Sequence, residues 1–194
     1  MTKTISATMT KLKRFMFPPT CTMMIGVPGA GKSTWIKHHV PSNVKVLSLD
    51  AICEDIARRM NTSFTEVTND EKLNFYAKML VGAELDVLLE NRTDFVWDQV
   101  NVNTGIREPM IRLLHEYGFR VEAVAFFPPV TKFQRNKVFE RNRHGVEREV
   151  WESMVDEFEL PAVWEGFSER TFIPLPEFHK TLRDHTPTQS GWNL

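Results

Sequence analysis

The chain has 194 residues, 42% hydrophobic and 25% charged, the proportions of one ordinary globular domain, which exclude a disordered, collagen-like or low-complexity polypeptide. Its 24 Lys and Arg nearly cancel its 25 Asp and Glu, leaving a net charge of −1, so no global field holds a polyanion and any nucleic-acid contact must come from a local patch. Two cysteines, Cys21 and Cys53, are too few for a disulfide framework and point to a reducing cytoplasm, and no apolar run is long enough to span a membrane.

Residues 1–17 read as a basic N-terminal arm, in which Lys3, Lys11, Lys13 and Arg14 occur without an acid or the apolar stretch of a signal peptide. An acid-free, Thr-rich transit peptide is the alternative. The domain is expected over residues 18–176, followed by an aperiodic tail at 177–194. An apolar strand at 21–25 leads through a Gly-rich turn into a helix at 32–40 that Pro41 stops. Val44, Val46, Leu47 and Leu49 form a second strand ending at Asp50, and the next helix carries Ile52, Ile56 and Met60. Residues 61–68 read as a polar loop, and 70–90 as a helix with Leu73, Tyr76, Leu80, Ala83, Val87 and Leu88 on one face. A short strand at 95–97 ends at Asp98, a helix at 104–117 closes at Gly118, and a strand at 120–127 meets Pro128 and Pro129. Helices at 131–143 and 147–158 flank Gly145, before a last strand at 171–173. Strands alternating with helices need crossover connections. The expected class is therefore α/β: a three-layer fold with a five-stranded, mostly parallel sheet and helices on both faces.

Gly26-Val27-Pro28-Gly29-Ala30-Gly31-Lys32-Ser33 satisfies GxxxxGK[ST] between a predicted strand and a predicted helix, the context this phosphate loop needs. Glycines let successive N–H groups and a helix N-terminus converge on phosphate oxygens. Gly26, Pro28, Gly29, Ala30, Gly31, Lys32, Ser33 and Thr34 are the candidate ATP-binding set. Lys32 reaches the β- and γ-phosphates, Ser33 offers its hydroxyl to Mg²⁺, and Thr34 either lies near the α-phosphate or packs within its helix. Asp50 and Asp98 both follow predicted strands, where an open parallel sheet binds ligands. An isolated Asp there commonly caps a helix, yet two beside a phosphate loop favour chemistry. Asp98, in Trp97-Asp98-Gln99, looks like a Walker-B acid at Mg²⁺, and Asp50 is better placed to take a proton from an attacking hydroxyl. Arg135, Lys137, Arg141, Arg143 and Arg148, with His144, form a cationic cluster around Gly145. It is read as a helical lid at about 130–147 carrying an arginine, Arg135 or Arg141, to the transferring phosphoryl group; a solvated helix face is the alternative. Trp151, Met154, Val155 and Phe158 make an ordinary core stripe, and His38, His39, His115, His179 and His185 show no metal-like grouping.

Residues 26–35, the strand end at Asp50, the segment Asp98-Gln99-Val100-Asn101 and the Arg-rich stretch running into Val146-Glu147-Arg148-Glu149-Val150-Trp151 resemble the 5′-kinase domain of phage polynucleotide kinases, over about residues 21–156. A second resemblance, through the same loop, the Asp98 to Asn101 segment and Phe158-Glu159-Leu160-Pro161 leading to Phe172-Ile173, is to the kinase-like domain of the heterogeneous nuclear ribonucleoprotein U group. The first implies a kinase in which Lys32 and Ser33 bind ATP and Mg²⁺, Asp50 is the general base, Asp98 serves the metal or acceptor side, and Arg135 or Arg141 is the lid arginine. It implies a polynucleotide or nucleotide acceptor and a location in the cytoplasm, the host's if phage-encoded. Other acceptors are a hydroxymethyl group on a modified base and a free nucleoside, and the second resemblance allows a nucleotide-binding module without catalysis. The chain departs from the polynucleotide kinases around Asp50, with Leu49 and Cys53 where they carry arginines, and at Asp98-Gln99-Val100-Asn101, where they have Asp-Thr-Asn.

Overall fold

The computed structural model describes residues 17–175. The basic side chains of the expected arm and the tail from 177 lie outside these residues. Strand β1 (Thr20–Ile25) lies at the centre of a five-stranded sheet between β3 (Phe95–Asp98) and β4 (Arg120–Phe126), with β2 (Lys45–Leu47) and β5 (Glu169–Ile173) at the edges. Every pairing is parallel. Met24 pairs with Asp98 across β1 and β3, and Ile25 with Ala125 across β1 and β4.

Successive strand residues point to opposite faces, and each face has its own core. Met23, Ile25, Phe95, Ala123 and Ala125 pack in one layer; Met24, Val96, Val124 and Phe126 pack in the other. The first layer is covered by α4 (Glu71–Asn91) and α5 (Thr104–Glu116). The second is covered by α1 (Lys32–His39), α6 (Lys132–Phe139) and α7 (Arg148–Asp156). Helices α2 (Leu49–Met60) and α3 (Phe64–Asn69) add a satellite core, where Cys53, Ile56 and Ala57 meet Val67 and Ala77. This is the expected three-layer architecture, with a wholly parallel sheet. Among the described residues no helix is long and apolar enough to cross a membrane.

Four local expectations are corrected. The polar loop at 61–68 contains α3, because Ser63 and Glu66 form a reciprocal capping box (3.1 and 2.9 Å) and Val67 is wholly buried. Helix α4 buries Ala77, Val81, Leu85, Leu88 and Leu89, while Tyr76 and Val87 are more than half exposed. Apolar residues occur on more than one side of its sequence, so packing on the sheet, α2 and α3 sets its rotation. Strand β2 stops at Leu47 because Ser48 is extended and caps α2, placing Asp50 in the first helical turn rather than directly behind a strand. Helix α6 ends at Phe139, and Gly145 (φ 67°) helps turn the connection at 140–147, so Arg141, Arg143 and His144 lie outside any helix.

Candidate active site

The phosphate-loop sequence spans the gap between β1 and α1 at the carboxyl edge of the sheet. Gly29 (φ 85°) and Gly31 (φ 111°) hold left-handed conformations that side chains disfavour. A Cβ at Gly29 would lie 2.2 Å from the Val138 carbonyl oxygen, so the loop rests directly on the end of α6. Two hydrogen bonds clamp it further: Gly26 N donates to Val100 O at 3.1 Å, and the buried Trp151 Nε1 donates to Pro28 O at 2.9 Å. Lys32 folds across the loop, its Nζ donating to Gly26 O (2.7 Å) and Val27 O (3.3 Å). Burial holds the Lys32 ammonium below the usual lysine range, against the opposing pull of Asp98 and Asp50. Ser33 and Thr34 are exposed at the start of α1, whose first turn contains no acid to compete with an anion.

Asp98 closes β3, half-buried. Burial pushes its carboxyl above the usual aspartate range; Lys32 works against that, Asp50 adds to it and His144 opposes it. Asp50 is the second residue of α2. Neither carboxylate caps the following helix. Ser48 Oγ accepts from Ala51 N at 3.4 Å for α2, and Asn103 Oδ1 accepts from Ile106 N at 3.0 Å for α5. The capping explanation for the two acids therefore does not apply, and the charges of both act on Lys32.

The cationic cluster divides into separate roles. Arg135 is committed to α7, with Nη1 2.6 Å from Glu152 Oε2 and Nη2 2.7 Å from Asp156 Oδ1. Arg148 stacks over Phe139 at 4.7 Å and binds Glu152 through Nε at 2.7 Å. Arg141 instead lies against the loop, its Nη2 3.7 Å from where a Cβ on Gly31 would sit. The structure thus brings Arg141, and not Arg135, to Gly31. His144 bridges to α2, 3.2 Å from Asp50 and 2.9 Å from Glu54.

Sequence reasoning missed two supports of the site. Asn101 is buried at φ 50° and its Nδ2 donates to Met24 O at 2.8 Å, tying the segment after β3 to β1. Arg107 is buried on α5, where it donates to Asn101 O and Glu159 O, both at 3.0 Å. It lies four and seven residues before the buried Ile111 and Leu114, so an arginine on the core face of α5 was the available signal. Beside this segment, between α4 and α5, is a cavity of about 550 Å³ walled by Trp97, Val100 and Met110, with Leu49, Lys78 and Gln99 also lining it. Leu49 and Val100 line it, whereas Cys53 is buried in the satellite core.

The family described as "AAA domain" matches residues 22–161. A solved structure from Chloroflexus aurantiacus J-10-fl, described as a "putative kinase", superposes with a TM-score of 0.58 at 15% identity, over 88% of this chain and 97% of that one. A structure from the PezAT chromosomal toxin–antitoxin system of Streptococcus pneumoniae gives 0.60 at 13% identity, over 80% of this chain and 68% of that one. Such low identities bear on the fold alone, which is the α/β fold of P-loop kinases.

Proposed function

The chain belongs to the AAA domain family, and on that premise we propose that it is an ATP-dependent kinase that transfers the γ-phosphate to a hydroxyl of a polynucleotide or nucleotide. The observation that carries this reading is the placement of the phosphate loop behind the central strand, with Asp98 closing the neighbouring strand, Asp50 in the first turn of α2 and neither acid engaged in helix capping.

The residues fit MgATP. Gly29 and Gly31 leave a cradle that side chains would distort, and the first turn of α1 lies beyond it. Mg²⁺ is ordinarily held by one or two protein oxygens plus phosphates rather than by a protein cage, and Ser33 with Asp98 is such a pair. MgATP supplies the transferable phosphoryl group and spreads the charge on its oxygens. Lys32 neutralises phosphate charge, Asp50 takes the proton of the acceptor hydroxyl, and Arg141 stabilises charge on the group in transit. Arg135 braces α6 against α7.

Support for a nucleic-acid acceptor is the resemblance of the motif order to that of the polynucleotide kinases. The cavity edged by Leu49 and Gln99, the chain neighbours of Asp50 and Asp98, favours a second reading within that class. Its apolar walls suit a base or sugar face near the reacting hydroxyl, as on a hydroxymethylated base in DNA, better than a second phosphate. The test offers labelled ATP with oligonucleotides bearing a 5′-hydroxyl, oligonucleotides bearing a hydroxymethylated base, or free nucleosides. Transfer to either oligonucleotide is expected, with shallow salt dependence, since each neutralised phosphate on a single strand adds only ~0.7 to the logarithmic slope. Exclusive phosphorylation of free nucleosides without a salt effect would remove the nucleic-acid assignment.

A further inference from the structure

The connection between α6 and α7 makes a contact that binding of phosphate by the loop does not require. His144 Nδ1 lies 3.2 Å from Asp50 Oδ2, its Nε2 lies 2.9 Å from Glu54 Oε1, and its ring stacks on Phe64 of α3 at 4.5 Å. Asp50 and Glu54 are four residues apart and share one face of α2. Carboxylates against both ring nitrogens favour the imidazolium, which alone carries an N–H on each. A single exposed ion pair would be incidental; here one side chain is fixed at three points on two helices. Among the described residues, the contact with His144 is the only ion pair of Asp50, and it uses one carboxylate oxygen.

We propose that His144 is a positioning residue for phosphoryl transfer, holding Asp50 by one carboxylate oxygen so that the other faces the acceptor hydroxyl. The proposal rests on the kinase reading of Asp50. The same contact closes the 140–147 connection onto α2. Arg141, three residues before His144, lies beside Gly31, so one short segment joins the base side of the site to the phosphate side. The charges around the imidazole are Asp50 and Glu54 on α2 and Asp98 at the end of β3, with Arg141 and Arg143 on its own segment; α3 contributes the uncharged Phe64. The hydrogen bond to Asp50 foremost, and then that to Glu54, raises the imidazole pKa to about 9 against the effect of burial.

The test combines turnover with direct titration. His144→Gln is expected to lower kcat by about 10–10²-fold, the range of a misoriented catalytic group, with ATP affinity unchanged. Wild-type kcat is expected to decline as pH rises through about 9, where the imidazolium loses its proton, and this limb should be absent in His144→Gln. Glu54→Gln, which leaves Asp50 in place, should move the limb to lower pH. By proton NMR, the ring resonance missing from His144→Gln should titrate near 9 in the wild type and lower in Glu54→Gln. A wild-type resonance titrating at the ordinary ~6.5, or His144→Gln with wild-type kcat and alkaline limb, would overturn the proposal. Failure of every protein, wild type included, to transfer phosphate would overturn the kinase reading and with it the role given to His144, while the titration would still report whether the contact with Asp50 exists.

Discussion

Arg107 and Glu165 form a two-pronged ion pair, with Nε 2.7 Å from one carboxylate oxygen and Nη2 2.8 Å from the other. The side chains are 0% and 2% exposed. Glu165 belongs to the short 3₁₀ turn Val163–Glu165, and Arg107 also binds the carbonyls of Asn101 and Glu159. One guanidinium therefore ties the segment after Asp98 to the chain leading into β5, and that segment in turn holds Gly26 through Val100 O.

Removing one member of a buried pair leaves the other charged and unpartnered, at a cost of about 3–5 kcal/mol. Arg107→Met should lower the melting temperature by roughly 10 °C, at about 2–4 °C per kcal/mol for a chain of this size. The double variant Arg107→Met/Glu165→Leu should recover part of the loss. A single variant that melts with the wild type would show that the pair bears no load.

Trp151 connects the core to the phosphate loop through one hydrogen bond. Trp151→Phe keeps an aromatic ring but loses the indole donor to Pro28 O. Its stability cost should be about 1 kcal/mol. Because Pro28 lies within the loop, calorimetry should also show ATP affinity reduced several-fold; undiminished affinity would confine Trp151 to packing.

The two candidate lid arginines should separate cleanly. Arg141→Ala is expected to lower kcat by about 10²–10³-fold, the usual loss for one donor to a transition-state charge. Arg135→Ala, which removes partly exposed ion pairs, should cost about 1 kcal/mol or less and leave turnover near wild type. Equal, mild effects on turnover would return both residues to the solvated surface.

The phosphate loop was legible because its chemistry is contiguous: eight residues, their spacing and the flanking strand and helix contain the whole signal. Parallel strands were legible for a related reason, since Cys21 to Ile25 and Val121 to Phe126 place apolar residues on both faces, interrupted only by Thr22 and Glu122. The rotation of α4 was not, because Phe75, Tyr76, Met79 and Val87 are apolar yet more than half exposed. The division of labour between Arg135 and Arg141 depended on where α6 ends, which no local pattern sets. His144 acquires its partners across 90 residues of sequence, and only the fold makes them neighbours.

The His144 contact also predicts how stability varies with pH. The folded-state pKa, about 9, is above the ordinary histidine value of 6.5, so the contact contributes fully below about 6.5 and is lost as pH rises through about 9. Urea midpoints of wild type and His144→Gln should therefore differ most at about pH 6 and converge above about pH 9. A gap that widens with pH would have the wrong sign for this contact.

The central claim is tested most directly by measuring phosphoryl transfer and MgATP affinity together in wild type and Asp50→Asn. A general base acts mainly on the chemical step. The account predicts wild-type transfer to a hydroxyl acceptor, with Asp50→Asn binding MgATP within a few-fold of wild type but transferring roughly 10²–10⁴-fold more slowly. A wild-type protein that binds ATP and phosphorylates no hydroxyl, or an Asp50→Asn variant as fast as wild type, would contradict it.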